Sequence, residues 1–330
     1  MLHLHGLGHF HPDNQISNAF LESLDIGTDE AWILDRVGIR NRYTALDLDY
    51  IRSTRNADPR AAAEAAQYSH AETGRAAALM AIERAGLTPG DIGMVVAGSS
   101  LPDTAVPAEA CNIAAALNLD VPAFDINSAC TTFFAGIWTL ERMRPEGLPE
   151  FILTVVPEAY TRAIDYRDRS SAVLWGDGTV AAVVAPRRPG RARILGPELG
   201  SRPSGAARIV VPRTGHFRQD GRAVQAFAVR KTRELLGRLI ESRGDTARPL
   251  HFVGHQANLR MLESVCRMVG VPDELHHSNV VEFGNTGGAS AGSVVSQAWQ
   301  DFKDGDDIAM VGVGAGLTWA SFLLRFGADA

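Results

Sequence analysis

Residues 124–136 read FDINSACTTFFAG and residues 280–292 read VVEFGNTGGASAG. In both, an apolar run gives way to small and polar residues and then to a segment with helical spacing. The flanks repeat too. IGMVVAGSS (92–100) and a helical segment about Ala108–Leu117 precede the first stretch. LHFVGHQAN (250–258) and a helical segment about Leu259–Val269 precede the second. Downstream, each is followed by a helix and then an apolar strand, FILTVVPE (151–158) and IAMVGVGAG (308–316). Matched positions stay 156 residues apart, from Gly98 to Gly254, Cys130 to Thr286 and Val155 to Val311. Few identities are shared, so the constant offset over successive elements is what indicates a duplication.

Two halves, 1–185 and 186–330, thus alternate strand and helix. They imply an α/β fold of parallel-rich sheets with helices on the faces. In such sheets, sites gather at the carboxyl ends of strands. The repeat sets Cys130 of the first half and Asn285 of the second at matched strand-to-helix corners, and His255 just after the second half's first matched strand. Three reactive residue types are expected to converge between the halves.

Other elements are legible locally. Leu2–Gly8 alternates as a strand, and Trp32–Tyr43 reads as a helix end, a turn and a strand. Asp58 before Pro59 is a helix-start signal, with mostly helix from there to Ala85. Ile92–Gly98 is a continuous apolar run suited to a strand covered on both faces. The chain has 330 residues, 45% hydrophobic and 21% charged, which is the composition of a globular protein. Its net charge of -6 argues against nonspecific nucleic-acid binding. Three cysteines without paired spacing rule out a disulfide framework. No stretch has the features of a signal peptide or a membrane span, so a cytoplasmic protein is expected.

Cys130 stands where an apolar strand segment meets a helical run. Backbone N–H groups and the positive dipole end at such a corner lower a thiol's pKa and favour the thiolate. The alternative is a buried structural cysteine. Cys111 and Cys266, inside amphipathic helical patterns, are read that way. His255, in FVGHQANLR, lies where an apolar strand ends. A neutral imidazole donating from its ε-nitrogen can hold a thioester carbonyl or an enolate; the alternative is a loop histidine. Asn285, in EFGNTGGASAG, adds a second uncharged donor beside glycines that allow close backbone approach; the alternative is a turn asparagine. His3, His5, His9 and His11 alternate along one strand with no acidic ligands beside them, so no metal site is expected there.

Taken together, SACTTFFAG, GHQANLR and FGNTGGAS, followed by GVGAGLTWASFLLRF, resemble β-ketoacyl-ACP synthase III and its relatives over essentially the whole chain. EAWILDRVGIRNRY (30–43) and DRSSAVLWGDGTVAAVV (168–184) match that family's pattern in order. The resemblance implies a thiolase fold of five layers, αβαβα, built from the two duplicated halves. It implies that Cys130 takes an acyl group from acyl-CoA or acyl-ACP, with the backbone N–H groups of Cys130 and Ala315 as oxyanion hole. His255 and Asn285 would then hold the carbonyl of a malonyl-CoA or malonyl-ACP extender while carbon dioxide leaves, and the resulting carbanion would attack the acyl-cysteine. Two neutral donors stabilise an enolate without supplying an acidic proton that would quench it.

By the same resemblance Trp32 and Arg169 would sandwich the adenine end of CoA, with Arg36, Asn258 and Arg260 beside them. The arginines would also give an acidic carrier protein a basic entrance. No cofactor is implied beyond the CoA or phosphopantetheine thioesters that serve as substrates. A homodimer is implied, in which Val106 stands where the family has a phenylalanine reaching into the partner's acyl pocket. Ala315 replaces a glycine of the usual GGG stretch, Gln225 stands for an aromatic residue near the pantetheine tunnel, and the Gly196–Gly221 region is shorter and richer in arginine. These departures indicate a specialised branch, with surface arginines the plainer reading of Arg213 and Arg218 and pairing with a carboxylated acyl group the other. The competing activities are acyl transfer from Cys130 to an oxygen or nitrogen nucleophile, a Cys-His-Asn hydrolase and a non-catalytic partner subunit.

Overall fold

The computed structural model describes residues 2–244 and 247–327. Nine strands join in one sheet: β1 (Leu2–Phe10), β2 (Ile92–Ala97), β3 (Ala123–Asp125), β4 (Phe151–Glu158), β5 (Gly178–Ala185), β6 (Ala192–Ser201), β7 (Leu250–Gly254), β8 (Asp307–Gly314) and β9 (Thr318–Phe326). Their order is β7-β8-β9-β6-β1-β5-β4-β2-β3. The centre is a narrow seam, where β1 and β6 pair through only Leu2–Ile194, His3–Arg193 and Leu4–Ala192. On one side of the seam lie β1, β5, β4, β2 and β3. On the other lie β6, β9, β8 and β7 in the corresponding order, and beyond them the single bridge from Phe252 to His276.

A parallel-rich sheet was expected, and the pairing corrects this. Only β2–β3, β2–β4 and β7–β8 run parallel, and every junction nearer the seam is antiparallel. The reason is connection length. β8 and β9 are separated by Ala315–Leu317 alone, too short for the crossover that a parallel pair needs.

Among the described residues six helices have eight or more residues and sort into layers: α1 (His70–Arg84), α2 (Glu109–Ala116), α3 (Thr132–Arg142), α4 (Gly221–Ser242), α5 (Leu259–Val269) and α6 (Ser290–Gln297). α1 packs on β1, β5 and β4, and α2 on β2 and β3. α4 packs on β8 and β9, with α5 against α4. α3 and α6 touch strands from both sides of the seam and so lie between the two arms. The layering is αβαβα. The middle layer is held by a single apolar cluster in which Phe133, Phe134, Val294 and Val295 pack with Val180 and Val184 of one arm and Ile308, Met310 and Phe322 of the other.

Two local expectations are corrected. The helix read from Asp58 to Ala85 is two helices, Pro59–Ala65 and α1. Between them Gln67 N–H bonds the Ala45 carbonyl at 2.8 Å, and Ser69 restarts the helix through a capping box with Glu72. The segment before Asn285 is a helical turn, Val280–Phe283, where the repeat called for a strand. Asn285 instead exchanges backbone bonds with Leu174 (2.8 Å) and Gly176 (3.1 Å). That borrowed pairing holds its position.

Candidate active site

Cys130, His255, Asn285 and Ala315 line one cavity of about 210 Å³. Its remaining wall is mostly apolar, with Trp175, Ile209, Phe217 and Leu317 among the larger contributors. Three loop ends deliver the three reactive side chains. Cys130 lies in a turn, Ala129–Thr131, that runs straight into α3. Ala129 adopts φ +50°, unusual for a residue with a Cβ, which lifts Cys130 out of the chain direction and into the cavity. Gly314 allows this, since a Cβ there would sit 3.0 Å from the Cys130 Cβ. The Ala315 N–H is directed at the Cys130 sulfur.

The thiol does not show the lowered pKa expected from its place at a helix start. Burial pushes it up to about 12, and the negative charge of Glu158 adds to the shift. The helix end and the Ala315 N–H favour the thiolate, but they act on a sulfur with almost no contact with water. Desolvation wins, and the resting cysteine is a thiol.

His255 is held by its backbone N–H to Val311 O (2.8 Å) and by its Nδ1 to Ser290 Oγ (2.8 Å). Ser290 Oγ also accepts the Gln256 N–H at 3.3 Å, and its own proton is available for Nδ1. With Ser290 donating to Nδ1, the ring proton is on Nε2, the tautomer that an enolate donor needs. Burial pushes the His255 pKa down to about 4, leaving a neutral donor at physiological pH. For Ser290→Ala we expect malonyl decarboxylation to fall roughly 10-fold, the value of one hydrogen bond, with Cys130 acylation within about 2-fold of the parent. Carbon dioxide release and intact mass measure the two separately; a parallel fall in both would contradict the tautomer argument.

Asn285 is likewise oriented. Its Oδ1 accepts the Gly287 N–H at 3.0 Å, which leaves the amide NH₂ as the group available to the cavity. Gly287 has φ +57°, and a Cβ there would lie 2.3 Å from the Tyr160 ring. Gly287→Ala should cost about 3 kcal/mol, from overpacking and left-handed strain together. A urea melt tests this; an unchanged midpoint would show that the ring can move aside.

The residues expected at the nucleotide end of CoA fall into one neighbourhood. The Arg169 guanidinium lies over the Trp32 ring at 4.9 Å and also bonds the Gly27 carbonyl. Asn258 caps α5 and donates to Arg36 O (3.3 Å), while Arg260 donates to Leu34 O (3.0 Å), so both tie α5 to the Trp32-bearing helix. Arg36 is exposed. Val106 is 82% exposed and lies outside the cavity of its own chain.

Gln225 lines a surface groove with Arg222, Arg230 and Arg233. Arg213 and Arg218 are exposed, as the plainer reading has them, and the hairpin that carries them turns Ile209, Val211 and Phe217 inward. The expectation of a buried Cys111 is corrected: it is exposed, because α2 presents that position to solvent, while Cys266 is buried. Each of His5, His9 and His11 takes a carbonyl or hydroxyl partner. Among the described residues one group of possible metal ligands is close-set, His70, Asp103 and Glu109. The Arg162 guanidinium already bonds Asp103 Oδ1 at 2.6 Å and lies 3.2 Å from His70 Nε2, so it supplies the positive charge there.

Sequence reading missed Glu158, Tyr160, Trp175 and Ser290. Tyr160 and Trp175 stack at 4.1 Å and wall the cavity beside Cys130. Glu158, at the carboxyl end of β4, is buried and accepts bonds from Ser100 N–H (3.0 Å), Ser100 Oγ (3.0 Å), Ser99 Oγ (3.4 Å) and Gly288 N–H (3.2 Å). A charged residue closing an otherwise apolar strand was the available signal.

A thiolase-type α/β fold with cysteine, histidine and asparagine on one cavity is the architecture of condensing enzymes. Family models described as 3-oxoacyl-[acyl-carrier-protein (ACP)] synthase III and its C-terminal part match residues 124–203 and 246–326. The β-ketoacyl-[acyl-carrier-protein] synthase III of Oceanobacillus iheyensis is 33% identical over 98% of both chains. The crystal structure of 3-oxoacyl-[acyl-carrier-protein] synthase III from Aquifex aeolicus superposes with a TM-score of 0.87 at 28% identity, covering 99% of this chain and 100% of that one. The priming β-ketosynthase of the R1128 polyketide pathway superposes with a TM-score of 0.82 at 28% identity, covering 98% and 96%. The chain belongs to the β-ketoacyl-ACP synthase III family and is a condensing enzyme of that type. No helix among the described residues is long and apolar enough to cross a membrane.

Proposed function

We propose that this chain transfers an acyl group from acyl-CoA or acyl-ACP to Cys130 and condenses it with a carbanion released from malonyl-CoA or malonyl-ACP. The observation that carries the reading is one buried cavity holding a thiol beside the Ala315 N–H and two neutral donors, His255 and Asn285. The Cys130 sulfur attacks the thioester carbonyl, and the tetrahedral oxyanion is held by the Cys130 and Ala315 backbone N–H groups. The leaving thiolate departs. The malonyl thioester carbonyl then lies against His255 Nε2–H and the Asn285 amide, carbon dioxide leaves, and the enolate attacks the acyl carbon. Collapse of that adduct expels Cys130.

The stacked Trp32 and Arg169, with Arg36, Asn258 and Arg260, suit the nucleotide end of CoA. The same basic surface suits an acidic carrier protein. The reaction calls on no cofactor beyond its thioester substrates. A homodimer would give the exposed Val106 a place in the partner's acyl pocket, where it leaves more room than a phenylalanine. That extra room and the aromatic wall of Tyr160, Trp175 and Phe217 favour a specialised acyl substrate in the cytoplasm. Incubation with a panel of acyl-CoAs, followed by intact mass and then by carbon dioxide release on adding malonyl-ACP, tests the reading. Acylation without any carbon dioxide would point to simple acyl transfer; no mass gain with any donor would overturn both.

A further inference from the structure

The condensation steps leave two questions about protons. The resting Cys130 is a thiol, so its proton must go somewhere before the sulfur attacks. The cysteine expelled at the end must get one back. His255 does not answer either: in the tautomer that donates to the enolate, Nδ1 accepts from Ser290 and Nε2 already carries its proton.

A path leads instead to Glu158. Its Oε1 accepts the Ser100 hydroxyl at 3.0 Å. Ser100, Tyr160 and Cys130 line the same cavity, and the Tyr160 hydroxyl faces both the Ser100 hydroxyl and the Cys130 sulfur. Tyr160 is fixed there by its stack on Trp175 at 4.1 Å, and Gly287 and Gly288 let the tyrosine ring and the carboxylate come this close. The carboxylate is fully buried, and nothing in the condensation chemistry employs it.

We propose that Glu158 stores the Cys130 proton between the two half-reactions, through the hydroxyls of Tyr160 and Ser100. In acylation the S–H proton passes to the Tyr160 oxygen as the Tyr160 proton passes to Ser100 and the Ser100 proton to Glu158. The sulfur lone pair forms the new C–S bond, the old C–S bond breaks, and the departing thiolate takes its proton from water. In condensation the enolate carbon forms its bond to the acyl carbon, Cys130 leaves as thiolate, and the stored proton returns along the same path. The sum consumes one proton for each carbon dioxide released, as decarboxylation of a malonyl carboxylate requires. Moving the proton also removes the carboxylate charge that opposes the thiolate. The site's net charge does not change, and the negative charge ends beside the Ala315 N–H and the start of α3.

The inference rests on Cys130 being the acylated residue, but its test needs no acyl donor. The measurement is the rate of Cys130 alkylation by iodoacetamide against pH, followed by intact mass. Burial holds Glu158 up to about 7. The titratable groups around it are Cys130 and Tyr160 on the cavity side and Tyr68, His70 and Asp177 across a small void behind it. In the parent the rate should rise through pH 7 to a plateau, since only ionised Glu158 can take the proton. Tyr160→Phe keeps the ring and cuts the path; it should lose that plateau and react at least 10-fold more slowly at pH 8. Glu158→Gln should also be at least 10-fold slower. Charge alone predicts the reverse, because removing a neighbouring anion makes a thiol easier to ionise. A Glu158→Gln rate equal to or above the parent's, or a parent-like profile in Tyr160→Phe, overturns the proposal. Failure of the acyl-CoA panel with a normal alkylation profile would count against the condensation reading alone.

Discussion

Cys130→Ala should leave a folded protein that gains no mass with any acyl-CoA and forms condensation product roughly 10⁴-fold more slowly or worse. The size follows from chemistry. Without the sulfur no covalent intermediate can form, and the remaining donors can only hold an ester they have nothing to attack with. The fold should tolerate the change, since Cys130 is buried among apolar neighbours and alanine removes a single heavy atom. Positioning of the turn rests on Ala129, Gly314 and the start of α3, which are untouched. Intact mass after incubation, with a thermal melt as the folding check, decides it. A mass gain that persists in Cys130→Ala would mean that another nucleophile carries the acyl group.

Asn285→Ala should separate the two half-reactions, with acylation of Cys130 kept within a few-fold and malonyl decarboxylation down about 10²- to 10³-fold. Loss of one preorganised donor to a developing oxyanion has that magnitude. Alanine also deletes the Oδ1 that holds the Gly287 N–H, so a second variant is needed. Asn285→Asp keeps the acceptor for Gly287 and replaces the donor with a negative charge. It should be at least as poor in decarboxylation while holding the turn. Carbon dioxide release from malonyl-CoA, measured beside single-turnover acylation, reads both. Acylation falling in step with decarboxylation would remove the role given to Asn285.

Much of the architecture was legible in the chain. The repeat that pairs Cys130 with Thr286 and Gly98 with Gly254 is a feature of sequence order, and it survives as two arms with corresponding strand order about the β1–β6 seam. α5 spans the residues its apolar spacing indicated, because a strongly amphipathic pattern with an Asn258 cap and Gly270 stop leaves little freedom. Strand direction was not legible. Alternating strands and helices suggested parallel pairs, while the short Ala315–Leu317 turn forces an antiparallel one.

The site divides in the same way. Cys130, His255 and Asn285 stood out through the repeat and the ordered motifs, signals read along the chain, and Ala315 through the family resemblance. No such signal singled out Tyr160, Trp175 or Ser290, and Glu158 had only its place at the end of an apolar strand; their parts come from contacts between segments apart in the chain. His255 meets Ser290 only once α6 is laid between the arms. Glu158 meets Ser100 and Gly288 only where β4 ends between two loops from different halves.

What the residue order determined by itself was therefore the duplicated α/β plan and which cysteine, histidine and asparagine meet in it, since periodicity and short motifs are properties of neighbours in the chain. The tertiary structure alone decided the protonation of those groups. A helix start promised a thiolate at Cys130, and burial beside Glu158 made it a thiol. Desolvation depends on what surrounds a group on every side, and the sequence lists neighbours along only one line.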